Sequence, residues 1–353
     1  MRTVGEMESR ACGHSDLTLS VFGIGTMTFG AESDEETSHD LLDLYYESGG
    51  RFIDTADVYS HGVSEEIIGR WLTSRRHDDV IVATKARFAM GDGPDDSGAG
   101  RAHLIAALDA SLNRLQCETI DLYQVHAWDP EVPLEETLQT LDGFVRSGKV
   151  RHIGVSNYTG WQIERAVQLT SHHKWSPVVS LQPQYNLLAR EIEWDVLPAS
   201  LDHGLCLLPW SPLGGGWLTG KYSRDERPSG ESRLGEDPNR GVEAYDLRNN
   251  PRTWEVIRAV REIADRRQVS MSQVALNWVR NRPAVASVLL GCRTSAQLQD
   301  NLGALEWNLD DDEIASLTSV SAPEMPTYPY GFLEKHAEVG IWRDLGTRSR
   351  PVM

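Results

Sequence analysis

Cysteine is scarce. Cys12, Cys117, Cys206 and Cys292 are widely separated in 353 residues, with no C-x-x-C and no histidine at metal-ligand spacing. That spacing argues against a zinc site or a disulfide framework, and buried or incidental thiols are expected instead. Also missing is any apolar run near the roughly 20 residues that a membrane-crossing helix needs. Residues 1 to 16 carry charges and glycines but no apolar stretch of the signal-peptide kind, so a soluble, cytoplasmic protein is expected. Positive charge is short as well: 34 Lys and Arg stand against 52 Asp and Glu, a formal net charge of -18. Nucleic acid and anionic membrane are therefore poor partners, because both are bound by basic surfaces that displace counterions. Any anionic ligand has to be held by local cations. Finally, no G-x-G-x-x-G follows an apolar run, so a dinucleotide-binding unit of the Rossmann kind is not supported.

What the chain does have is alternation. Short apolar runs take turns with longer stretches of helical period, the pattern of parallel strands covered by helices. Strands are expected near 21–26, 51–56, 79–85, 119–126, 152–157, 178–184, 205–210 and 287–291. Eight is the number that closes a (β/α)8 barrel, which occupies about 250 residues or more. Helices fit at 34–48, 63–73, 101–115, 133–147, 159–170, 190–203, 252–266 and 295–305, with two more at 271–281 and 311–319. Gly148 sits where a helix C-cap is expected. The reading is one α/β domain over 1–353, with its core at about 17–319. A long loop, Tyr222 to Pro251, follows the seventh strand, and an irregular tail runs from about 322 to 353.

The ends of three runs carry chemistry. Phe52 to Tyr59 contains Asp54 and ends on a phenol, Val80 to Lys85 ends on an ammonium, and Ile120 to His126 ends on an imidazole. Barrel enzymes place their working groups at the carboxyl ends of strands, so Asp54, Lys85, His126 and the loop residue Tyr59 belong to one pocket. A phenol is a weak acid, with an unperturbed pKa of roughly 10. A lysine beside it favours the phenolate, and a carboxylate holds that lysine charged, so Tyr59 is expected to donate a proton near neutrality. Asp57 reads as a loop residue in contact with solvent. Tyr123, Tyr158 and Tyr185 read as core or pocket wall, and Lys149 and Lys174 as surface.

Gly25-Thr26-Met27, Phe52 to Tyr59, Gly148 to Asn157 and Trp210-Ser211-Pro212-Leu213 occur in an order that resembles the aldo-keto reductases, from about Leu17 to Ser319. The resemblance implies Tyr59 as general acid, Asp54 and Lys85 as its activating pair, and His126 as the group that orients the substrate oxygen. It also implies a nicotinamide cofactor across the barrel mouth, near Gly25, Thr26 and Met27. Ser156, Asn157 and Gln182 would hold its carboxamide, and Trp210, with Ser211 and Leu213 beside it, would stack on its ring.

Gly214, Gly215 and Gly216 allow backbone to approach a pyrophosphate, and Lys221 and Arg233 follow to neutralise it. After the eighth strand, Gly291 and Arg293 open a helix on which Arg293, Gln297 and Asn301 lie at four-residue steps on one face. Asp300 is the adjacent acid for an adenine amino group. An arginine at a helix start suits a 2'-phosphate, which favours NADPH over NADH.

The expected activity is reduction of an aldehyde or ketone by NADPH, without a metal, on a small-molecule substrate. Phe88 and Trp128 would form an apolar substrate rim. Specificity would come from Phe88 to Gly100, Ala127 to Pro133 and the tail. The alternatives are oxidation of a polyol with NAD(P)+ at the same site, or a cofactor-sensing subunit, since the family resemblance extends to potassium-channel beta subunits.

Overall fold

β-branched and aliphatic residues concentrate in the short runs, which suits parallel strands covered on both faces. In the computed structural model, which describes residues 7–75, 79–230 and 232–336, the chain opens with an antiparallel hairpin, β1 (Ser9–Ala11) and β2 (Thr18–Ser20). Eight parallel strands follow: β3 (Phe22–Gly25), β4 (Phe52–Asp54), β5 (Ile81–Ala86), β6 (Ile120–Val125), β7 (Val150–Ser156), β8 (Val178–Gln182), β9 (Cys206–Leu207) and β10 (Val288–Gly291). They pair in the order β10-β3-β4-β5-β6-β7-β8-β9. A parallel bridge between Leu207 and Val285, and a 3.0 Å bond from the Leu289 N–H to the Pro209 carbonyl, join the two ends of that order. The architecture is the expected (β/α)8 barrel.

Helices Glu35–Glu47, Val63–Arg75, Arg101–Leu115, Leu134–Arg146, Gly160–His173, Val196–Asp202, Pro251–Arg267 and Ser295–Leu302 cover the strands, with Met271–Arg280 and Asp311–Val320 in addition. Local chemistry sets their ends. Asp34 and Asn250 accept the first-turn N–H groups of Thr37 and Thr253, and Asp310 with Glu313 forms a capping box. Gly148 takes the positive φ that ends Leu134–Arg146, as expected of a residue without a Cβ.

The structure departs from expectation in four places. The hairpin was not foreseen, because three-residue strands are too short to show a period. It closes the amino-terminal mouth of the barrel: Leu17 and Leu19 pack with the interior residues Phe52, Ala83, Leu122, Val179 and Leu208. It also brings Cys12 to Cys206 at the start of β9, and these two cysteines form a disulfide rather than the expected thiols. The 222–251 stretch is not one open loop, since it holds short helices at Arg233–Glu236 and Tyr245–Arg248. The tail is not irregular throughout, since Phe332–His336 is helical; residues 337–353 lie outside the described residues.

Inside the barrel, Gly154 of β7 stands between Gln124 of β6 and Ser180 of β8. A Cβ on Gly154 would lie 2.2 Å from Ser180 Oγ and 3.1 Å from Gln124 Cγ. The position has to be glycine for the polar interior layer to close. Gly154→Val should therefore destabilise the fold by about 1–3 kcal/mol through overpacking. Chemical denaturation of wild type and variant would measure it, and an unchanged midpoint would mean that the interior yields at this point.

Candidate functional site

Lys85 lies two residues past Ala83 on β5, on the same inward face. Its side chain has no exposure at all. The ammonium donates to Asp54 Oδ1 at 2.6 Å, to the Thr55 carbonyl at 2.7 Å and to the Tyr59 hydroxyl at 3.3 Å. The other Asp54 oxygen accepts from Gln182 Nε2 at 2.8 Å and from Gln124 Nε2 at 3.3 Å. Burial alone would push the Lys85 pKa down, but the attraction of Asp54, and then of Tyr59, outweighs it and holds the ammonium above its ordinary value. Lysine therefore stays charged in the barrel interior.

Tyr59 opens a tight turn, Tyr59–Gly62, in which Ser60 (φ 50°) and His61 (φ 51°) both occupy the left-handed region. Ser60 Oγ anchors that turn by donating to the Phe29 carbonyl at 2.8 Å. Strained backbone of this kind persists only where its surroundings hold it. The phenol does not titrate as expected. Burial raises its pKa above 10, and the nearby Lys85 charge only partly offsets this. Tyr59 is thus fully protonated at neutral pH.

His126 follows β6, and its backbone N–H donates to the Ala86 carbonyl. Its ring centroid is 5.9 Å from that of Tyr59 and 4.7 Å from that of Phe88. Burial, reinforced by Lys85 and Arg87, lowers its pKa to about 2. The imidazole is neutral. Nδ1 has no hydrogen-bond partner among the described residues. An empty acceptor costs less than an empty donor, so the proton belongs on Nε2.

The groups expected at a nicotinamide come together at and just past the ends of β7, β8 and β9. Asn157 takes a positive φ of 58° and donates to Ser156 Oγ and to the His126 carbonyl, both at 3.0 Å. Its side-chain oxygen accepts the Trp210 indole N–H at 3.0 Å, which fixes that ring at the mouth. Ser156 Oγ donates to the Gln182 carbonyl. Gln182 is engaged with Asp54, as above. Gly25 and Gly291 are register partners, Thr26 is buried with its hydroxyl on the Asp54 carbonyl, and Met27 is exposed. Ser211 has a φ of 53° and accepts the Gly215 N–H, with Leu213 half-buried between them.

Gly214, Gly215 and Gly216 have φ of 58°, 64° and 99°, and a Cβ on Gly216 would lie 2.4 Å from Lys221 Cε. Lys221, Arg233 and Arg293 crowd together there. The Lys221 pKa is lowered by burial and then by Arg293 and Arg233, and that of Arg233 by burial and then by Arg240. Arg233 Nε is buried without a partner among the described residues. A glycine cradle beside mutually repelling cations fits a polyphosphate. Arg293 is also paired with Glu236 at 3.0 Å and with Glu32 at 3.2 Å. Its N–H donates to Gln297 Oε1, whereas Asn301 is buried on Cys292 Sγ. Asp300 accepts from Ser270 and Gln273, so its carboxylate is tied to helix Met271–Arg280.

On the substrate side, Phe88 lies against His126. Trp128 makes edge contacts with Tyr158 and with the exposed Trp161. Three residues were missed. Gln124 shares Asp54, and only the inward alternation of β6 could have indicated it. Glu243 accepts from Gln184, Ser211 and Arg248 and braces the glycine turn, but its segment has no period to read. Arg87 follows the same strand as Lys85, and nothing beside it in the chain marks it out.

Asp57 is corrected here. It is fully buried, not a solvent contact, and neither carboxylate oxygen has a hydrogen-bond partner among the described residues. Burial and then repulsion from Glu65 raise its pKa to about 7, against the pull of the nearby Val58 N–H, Arg114 and Lys85. Glu65 itself is held by Arg114 at 2.7 Å and by Thr84.

The chain has recognisable relatives. Residues 21–322 match the model of the aldo/keto reductase family. The chain is 34% identical to the uncharacterized oxidoreductase YrpG of Bacillus subtilis (89% of this chain, 96% of that protein). It is also 34% identical to L-glyceraldehyde 3-phosphate reductase of Escherichia coli O157:H7 (89% and 92%) and 33% identical to a probable voltage-gated potassium channel subunit beta of Arabidopsis thaliana (85% and 92%).

The Asp57 carboxyl sets a pH dependence. An acid whose folded pKa is raised contributes stability that is complete below its unfolded pKa and is lost as pH climbs through about 7. Asparagine cannot ionise. Asp57→Asn should raise the thermal midpoint relative to wild type by more at pH 8 than at pH 5, and equal differences at the two pH values would count against a buried ionising Asp57.

Proposed function

The chain belongs to the aldo/keto reductase family, and on that premise we propose that it is an NADPH-dependent reductase that converts an aldehyde or ketone to an alcohol with Tyr59 as the proton donor. The observation that carries this reading is the hydrogen-bonded chain Asp54–Lys85–Tyr59, its ion pair buried, with a neutral His126 beside it. When bound, NADPH supplies the hydride that reaches the carbonyl carbon.

The protein's own residues do the rest. His126 presents an N–H to the carbonyl oxygen and orients it. As that oxygen gains negative charge it becomes far more basic than a phenolate, so the Tyr59 proton passes to it even though the free phenol holds that proton above pH 10. The phenolate left behind faces the Lys85 ammonium at 3.3 Å, and Asp54 keeps that ammonium charged. Asn157 and Ser156 offer hydrogen bonds to the carboxamide, and the Trp210 ring offers a stacking face. Gly214 to Gly216, Lys221 and Arg233 would hold the pyrophosphate, and Arg293 the 2'-phosphate. Asn301 and Asp300 are engaged within the protein and belong to the adenosine end through the helix they build.

The protonated phenol and neutral imidazole suit the reducing direction. Polyol oxidation would need Tyr59 as a base, and burial opposes that state. The likeness to a potassium channel subunit supports a second reading, a redox-sensing subunit, which expects slow cofactor exchange in place of multiple turnover.

Tyr59→Phe should lower kcat/KM for aldehyde reduction by about a thousandfold while tryptophan quenching by NADPH stays within about twofold. Activity within tenfold of wild type would remove Tyr59 as the acid. Because His126 titrates only near 2 and Tyr59 above 10, reductive kcat/KM should be flat from about pH 6 to 9 and should fall only as the phenol ionises. An inflection near pH 6.5 that is lost in His126→Asn would contradict the neutral imidazole. Arg293→Gln should weaken NADPH more than tenfold and NADH little; equal weakening of both would reassign the arginine.

A further inference from the structure

Arg87 directly follows Ala86, the last residue of β5, and so stands two residues beyond Lys85. Its backbone φ is 145°, a region that glycine enters freely and other residues enter at a cost of about 1–3 kcal/mol. The Gly98 N–H, donating to the Arg87 carbonyl at 2.8 Å, holds it there. The fold thus carries an arginine at a position where its side chain adds strain.

That side chain is half-buried at the site, beside aromatic rings. Its guanidinium lies 5.5 Å from the Phe88 ring centroid; its charge adds to the burial and the Lys85 charge that lower the His126 pKa, and it partly offsets the burial that raises that of Tyr158. Nε is buried with no hydrogen-bond partner among the described residues. No described carboxylate lies within ion-pair distance of it, in contrast to the half-buried Arg51, Arg114 and Arg248, each of which meets an acid. Asp129, the acid that acts on the same Tyr158, is engaged by the N–H groups of Ala99 and Glu131. An uncompensated guanidinium next to the oxygen-orienting imidazole is a half-made anion site. In a chain of net charge -18, an anionic substrate needs such a cation to approach.

We propose that Arg87 determines specificity, and that the substrate is a carbonyl compound bearing a carboxylate or phosphate, whose charged end the guanidinium holds while His126 and Tyr59 engage the carbonyl oxygen. This rests on the reductase reading above. The planar fork of donors suits either oxyanion.

The test compares matched aldehydes: 4-carboxybenzaldehyde against 4-nitrobenzaldehyde, and 4-formylphenyl phosphate against 4-methoxybenzaldehyde. The readout is the ratio of kcat/KM for the charged member to that for the neutral member. Arg87→Met should lower that ratio about 30-fold or more in at least one pair, chiefly through KM, and Arg87→Lys should restore part of it. The pair that responds identifies the oxyanion. A ratio unchanged in both pairs overturns the proposal. Should wild type reduce none of the four, tryptophan quenching by terephthalate and phenyl phosphate separates the two readings. Binding that Arg87→Met abolishes keeps the anion site and removes the reductase; no binding overturns both.

Discussion

A lysine ammonium with no exposure to water, held against Asp54 at 2.6 Å, is the constraint around which the interior is organised. Taking two charges out of water costs several kcal/mol per ion unless the remaining hydrogen-bonding capacity is met. Here it is met from three directions: Thr55 accepts from the ammonium, and Gln124 and Gln182 donate to the carboxylate. Those two glutamines come from β6 and β8, and the strand between them carries Gly154, because a side chain there would run into Ser180 and Gln124. The polar layer at the carboxyl end of the barrel is one connected requirement. The apolar layer below it, closed by the β1–β2 hairpin, keeps water from the other side.

The same burial explains why the titrating groups diverge. Low exposure lifts the Tyr59 phenol and depresses the His126 imidazole, so each is driven to its neutral, proton-carrying form. Lys85 stays charged, because the attraction of Asp54 at 2.6 Å outweighs its desolvation, whereas the pull of Lys85 on Tyr59 at 3.3 Å does not outweigh that of the phenolate. Two neutral donors and one fixed cation around a small pocket are suited to receiving negative charge on an oxygen. Lys85 does pull the Tyr59 pKa down, as expected, but desolvation of the phenolate is the larger effect and the net shift is upward. The same lysine charge also faces the product of proton transfer.

What the sequence disclosed follows from what leaves a local trace. The eight strands were legible because each is an apolar run bounded by turn-forming residues, and the catalytic strand ends because their last residues change from apolar to ionisable. The Cys12–Cys206 pairing was not legible, since 194 positions separate the two and only the hairpin's docking under β9 brings them together. Asp57 was misplaced for a related reason. Nothing near it in the chain shows that it will be covered and will face Glu65, which Arg114 of another helix holds. Arg87 was hidden because charged residues past a strand end usually face solvent, and Glu243 because its segment has no period; only their lack or choice of partner shows otherwise.

The mouth of the barrel presents the opposite problem to its interior. Lys221, Arg233 and Arg293 repel one another, and the fold offsets this in part by pairing Arg293 with Glu32 and Glu236, and Arg240 with Glu32 at 3.1 Å. Glu236 and Arg240 belong to the segment after the seventh barrel strand, Glu32 to the loop after the first, and Arg293 follows the last. These ion pairs therefore tie three separate loops across one rim. They are partly exposed, so each contributes little, on the order of 1 kcal/mol or less. A phosphate group at Arg293 would compete with Glu32 and Glu236 for the same guanidinium, whose fork of donors suits any of these oxyanions. Glu236 lies in the 222–251 segment, so the pairing of that segment and a phosphate at Arg293 would draw on the same donors.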